Sequence, residues 1–84
     1  MYQAIRTKYI GPRNVRGSRV KAIAEAGSVT LEWDDGLNDI ENHKAACRAI
    51  LVKFGWRGQY MGGAFGSGEY VWVHAGESRY SVMI

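Results

Sequence analysis

One segment of this 84-residue chain, from Asn38 to Gly55, carries the local signals of an α-helix, and the runs on either side alternate with a period of two instead. Asn38 followed by Glu41 fits a capping box, and Asp39 and Glu41 place negative charge in the first turn, where the macrodipole favours it. Ile40, His43 or Lys44, Cys47, Ile50, Leu51 and Phe54 recur at helical spacing. Gly55 supplies the left-handed stop. The spacing predicts a helix over 39–54 with Lys44, Arg48 and Lys53 on its solvent side. A single helix with one apolar stripe needs a sheet to cover.

The rest of the chain supplies one. Residues 2–10 alternate, with Ile5, Thr7 and Tyr9 on one face and Ala4, Arg6 and Lys8 on the other, a strand with one cationic solvated side. Gly11-Pro12-Arg13-Asn14 is a turn signal, prolonged by Arg16-Gly17-Ser18. A second strand is expected from about Ser18 to Ala24, with Val20 and Ala22 inward and Arg19 and Lys21 outward. Ala26-Gly27 reverses the chain into Ser28–Trp33, where Val29, Leu31 and Trp33 alternate with Ser28, Thr30 and Glu32. Asp34-Asp35-Gly36 ends that strand. After the helix, Tyr60 and Met61 read as a short strand, Gly62–Gly68 as a glycine-rich loop, and Tyr70–Ala75 as another alternating strand. Gly76-Glu77 then turns towards Arg79–Ile84, where Tyr80, Val82 and Ile84 share a face. The expected fold is α+β: a curved antiparallel sheet, β-β-β-α-β-β-β, with one helix packed on one face, forming a single domain over residues 1–84.

Size limits what such a chain does. A domain of this length buries only about 60% of its unfolded surface, which leaves little room for a catalytic cleft. A lone cysteine, Cys47, excludes an intramolecular disulfide framework and fits a reducing compartment. The N-terminal run lacks the apolar core of a signal peptide, and no stretch is long enough to span a membrane. These features predict a cytoplasmic, non-enzymatic binding protein that is a monomer or weak homodimer, with no cofactor, no metal and no membrane partner.

Charge gives the direction of binding. Six of the eleven Lys and Arg lie within the first 21 residues, where there is no acid; the other five face all eight Asp and Glu. Arg13, Arg16 and Arg19 sit in or beside the first loop, with Lys8 and Lys21 on the adjoining strands. A hairpin brings outward charges from both strands onto one surface. The guanidinium fork suits phosphate or carboxylate, so Lys8, Arg13, Arg16, Arg19 and Lys21 are the expected anion- or partner-binding residues. On nucleic acid they would neutralise roughly four to six phosphates, with Tyr2 and Tyr9 available to stack.

Other motifs point less far. The Gly62–Gly68 segment holds four glycines, but a strand follows it rather than a helix, and it lacks the Lys-Ser/Thr ending of a P-loop. A hairpin tip led by Phe65, with Tyr60 nearby, fits a contact loop for a protein partner. His43 and Cys47, four apart on the helix, share a face and could supply two metal ligands or a thiolate with its base. Two ligands do not make a site, and Cys47 falls on the core stripe. Turn formation and helix capping account for Asp34, Asp35, Asp39 and Glu41.

The stretch Thr7–Ala22, TKYIGPRNVRGSRVKA, resembles the opening of a family of short proteins found in phages, prophages and plasmids, whose pattern is close to T-K-Y-x-G-P-T-N-x-R-G-S-R-[IV]-K-A. Leu37-Asn38, Glu41-Asn42-His43, Ala45-Ala46 and Gly55-Trp56 extend the likeness. Arg13 stands where the family pattern has Thr, adding a charge to the loop. The resemblance implies a mobile-element origin and, by analogy, an inhibitor of host defence of the anti-CRISPR or anti-restriction kind. Its partner would be a host nucleic-acid-handling complex, met through the basic hairpin. The alternative is a small nucleic-acid-binding module that contacts the phosphate backbone.

Overall fold

A computed structural model describes residues 3–12 and 17–75. Its elements are β1 (Ile5–Ile10), β2 (Arg19–Ala24), β3 (Gly27–Glu32), α1 (Asp39–Phe54), β4 (Tyr60–Ala64) and β5 (Glu69–His74). The strands form one antiparallel sheet in the order β3-β2-β1-β5-β4, with α1 on one face. This is the expected α+β class. The sixth expected strand, Arg79–Ile84, lies outside the described residues, and β5 already has a neighbour on each side.

The helix ends where its capping residues place it. The Asn38 side chain accepts the Glu41 N–H at 2.9 Å. At the other end Gly55, at φ 67°, donates to Val52 O, and Trp56 donates to Leu51 O at 3.0 Å. That pair of bonds is a Schellman closure, which needs the left-handed residue that glycine supplies without penalty. The Phe54 and Trp56 rings stack across it at 5.1 Å.

Small residues let the helix sit close to the sheet. Ala22 and Ala24 on β2 and Ala46 on α1 are buried together with Ile5, Val20, Cys47, Ile50 and Trp72. The helix lies chiefly on β2, then on β1 and β3. Alternation therefore assigns Arg6, Lys8, Ile10, Arg19, Lys21 and Ile23 to the opposite face, which no described helix covers.

The expected Gly62–Gly68 loop is corrected. Gly62, Gly63 and Ala64 belong to β4, and the connection shrinks to Phe65–Gly68. Gly62 faces Trp72 across the ladder, and a Cβ there would stand 2.3 Å from the indole. The glycine in the strand makes room for the largest core side chain.

Candidate functional site: a cationic sheet face

The β1–β2 ladder sets Lys8 directly opposite Lys21, and Ile10 opposite Arg19. Like charges facing each other across a ladder destabilise it. Their nearest acids do not relieve them. Glu69 lies opposite Lys8 in the β1–β5 register, but its carboxylate is taken by Arg6, Nε to Oε1 at 3.4 Å. Glu32 lies opposite Arg19, yet the two form no ion pair. Among the described residues Lys8, Arg19 and Lys21 have no salt-bridge partner, and the Arg19 Nε is shielded from solvent without a hydrogen bond. The three cations, with Ile10 and Ile23, border a shallow concavity of about 380 Å³. A larger hollow of about 660 Å³ flanks Arg19 on its other side, where Glu32 and Asp35 make the lining mixed in charge.

The structure thus brings Lys8, Arg19 and Lys21 together on one face that no described element covers. Arg13 and Arg16 lie outside the described residues. So does Tyr2. Tyr9 belongs to the opposite face: its ring meets Trp33 edge-on at 5.0 Å and its hydroxyl is 2.9 Å from Ser18 Oγ. Its ring and hydroxyl are thus engaged by the fold, although Tyr9 also borders the concavity that Lys8 and Lys21 line. Phe65 is 57% exposed just beyond β4. Tyr60 is half-buried at the other end of that strand, edge-on to His74 at 5.3 Å. The two expected aromatic contacts do not form one patch.

On the helix side the fold builds a polar cluster that spacing did not reveal. Trp72 Nε1–H donates to Thr7 Oγ1 at 2.9 Å, and His43 Nδ1 lies 2.7 Å from the same hydroxyl. His43 Nε2 faces Asp39 Oδ1 at 3.8 Å, and the Tyr70 hydroxyl donates to Asp39 Oδ2 at 3.2 Å. The indole can only donate, so Thr7 Oγ1 accepts from it, while the sense of the Thr7–His43 bond follows the imidazole tautomer. Hydroxyl, imidazole and carboxylate stand in the order of a nucleophilic triad, but Thr7 and His43 are each 0% exposed, so no substrate reaches them. The cluster ties β1, β5 and α1 together.

Burial pushes the His43 pKa below its ordinary 6.5, against the opposing pull of Asp39 and of a hydrogen bond to the Thr7 backbone. Unfolded His43 therefore takes up a proton before folded His43 does. Its contribution to stability is fully present above pH 6.5 and falls as the pH drops from there towards the lower folded value. Urea unfolding is expected to show a loss of up to about 1.4 kcal/mol per pH unit in that window, and His43→Gln should flatten it. An unchanged slope in that variant would assign the effect elsewhere.

Cys47 is buried, and desolvation pushes its thiol up to about 11, so it does not pair with His43 as a thiolate. No group of three or more metal-ligating side chains occurs among the described residues. Asp34 Oδ1 accepts the Gly36 N–H at 2.9 Å, as a turn requires, while Asp39 and Glu41 occupy the first helical turn. No described helix is long and apolar enough to cross a membrane. Comparison of the chain with protein-family models, curated proteins and solved structures gives no match in any of the three.

Proposed function

We propose that this is a non-enzymatic, phage-type binding protein that acts in the host cytoplasm and blocks a host nucleic-acid-handling complex. Its uncovered sheet face docks on an anionic surface of that complex. One observation carries the reading: Lys8 and Lys21 face each other across the ladder beside Arg19, all without carboxylate partners among the described residues. Such an arrangement costs stability, and an incoming anion offsets the cost. Apolar side chains next to the cations, Ile10 and Ile23, suit a protein surface, where desolvated contacts anchor a charged rim. The Thr7–Ala22 pattern and its mobile-element resemblance supply the biological setting. The test is capture from host lysate after nuclease treatment, comparing the natural chain with a Lys8→Glu/Lys21→Glu variant. The natural chain should retain a protein partner and the variant should lose it; recovery of none by the natural chain would refute the reading.

A second reading, a module on the phosphate backbone, draws on the same three cations around an open concavity. If they contact duplex phosphates, log K against log salt should fall with a slope of about −3, steeper if the loop arginines join. The double variant should flatten that slope by about 2. Absence of binding at low salt excludes this module.

A further inference from the structure

The two edges of the sheet are guarded differently. At β3 the Lys53 ammonium donates to the Ser28 carbonyl at 2.9 Å, Phe54 covers Gly27, and Glu32 places a charge on the strand. These are the devices by which natural sheets blunt an edge. Among the described residues β4 has none of them. From Tyr60 to Gly68 there is no charged residue and no proline, and Met61, Gly62, Gly63 and Ala64 are all exposed.

The ladder fixes which peptide groups of β4 are available. Ala75 N–H donates to Gln59 O at 2.7 Å, and Phe65 N–H to Glu69 O at 2.9 Å. In an antiparallel pair such bonded residues recur at every second position, so Met61 and Gly63 also turn their N–H and C=O towards β5. Gly62 and Ala64 turn theirs away, and β4 has no other neighbour among the described residues.

We infer that this edge is an interface for a second copy of the chain, with β4 pairing antiparallel to its counterpart about a two-fold axis at Gly63. In that register Gly62 exchanges N–H and C=O bonds with Ala64 of the second copy, and Ala64 with its Gly62. Gly63 faces Gly63 in a non-bonded pair, and Met61 falls opposite Phe65. Met61 and Phe65 are 64% and 57% exposed, and by alternation both share the open side of Gly63, whose absent Cβ would meet nothing within 4 Å. The pairing places thioether against ring twice, a favourable contact. Charge permits it: each chain carries a net +3, but β4 itself carries no charge, and Lys8, Arg19 and Lys21 lie on β1 and β2, beyond β5. Five residues of edge make a small interface, which predicts a weak, concentration-dependent dimer. The two cationic faces would then sit on one side of a continuous sheet, five strand spacings or about 24 Å apart.

Sedimentation of the natural chain from low micromolar to near-millimolar concentration is expected to show mass rising towards two chains. Gly63→Cys should cross-link to itself under mild oxidation roughly tenfold or more faster than Val52→Cys, a comparably exposed helix position, because pairing raises the effective thiol concentration. Ala64→Pro removes only an outward N–H and should leave a folded monomer. If that variant unfolds, Met61→Lys, a change at an exposed side chain, makes the same test. A natural chain that stays at one mass throughout, equal cross-linking at the two cysteines, or a folded edge variant that dimerises like the natural chain overturns the interface.

Discussion

Replacing Thr7 with valine, nearly the same shape, is expected to cost about 2–5 kcal/mol, a large part of the 5–15 kcal/mol that holds a typical domain. The hydroxyl is shared by Trp72 Nε1–H and His43 Nδ1, and all three side chains are buried. Valine leaves an indole donor and an imidazole nitrogen without partners where water does not enter, and each such orphan costs about 1–3 kcal/mol. Thermal unfolding should fall by roughly 10 °C or more. Thr7→Ser keeps the hydroxyl and should cost only about 0.5–1.5 kcal/mol for the lost methyl. Trp72→Phe added to Thr7→Val removes one orphan, so the double variant should be less destabilised than the two single losses combined. A valine variant as mild as the serine variant would show that the cluster does not carry the core.

The helix was readable from sequence because its signals are local. Asn38, Glu41 and Gly55 act within one turn of themselves, and α1 runs from Asp39 to Phe54 as their positions require. The cationic face was readable for the same reason: strict alternation in β1 and β2 puts Lys8, Arg19 and Lys21 on the side opposite Val20 and Ala22. Local reasoning fails where the reason for a residue is far along the chain. Gly62 looked like loop because its role is to clear space for Trp72, ten positions on and across a ladder. Thr7 looked like an ordinary strand residue, since its partners lie 36 and 65 residues away. The insertion of β5 between β1 and β4 carries no local signal either, because pairing partners are chosen by the shared core. Only the fact that Thr and His fall on the apolar faces of β1 and α1 hinted that the core contains a polar bond.

Asn42 was missed altogether as a structural residue, and it carries the second large expected effect. It is 2% exposed. Its Oδ1 accepts the Asp34 N–H at 2.8 Å, while its Nδ2 faces the carbonyls of Asp34 at 3.0 Å, Asn38 at 3.1 Å and Leu37 at 3.4 Å. One amide therefore fastens the turn after β3 to the first turn of α1. That turn fixes Trp33, whose N–H bonds Ser18 O at 3.0 Å and whose ring abuts Tyr9, so the clamp also holds the base of the basic hairpin. Asn42→Ala should cost about 2–4 kcal/mol by stranding the Asp34 amide and its neighbours. Asn42→Asp is the sharper comparison. It keeps the acceptor for Asp34 but turns a donor into an anionic oxygen facing three carbonyls, so at neutral pH it should be worse than alanine. Desolvation raises the pKa of such a carboxyl, and protonation restores one donor. Its deficit relative to alanine should therefore shrink as the pH falls from 7 to 5, the opposite sense to the His43 effect. Urea unfolding of both variants at those two pH values checks this; an aspartate variant as stable as the natural chain at neutral pH would mean that the donor side of the clamp contributes nothing.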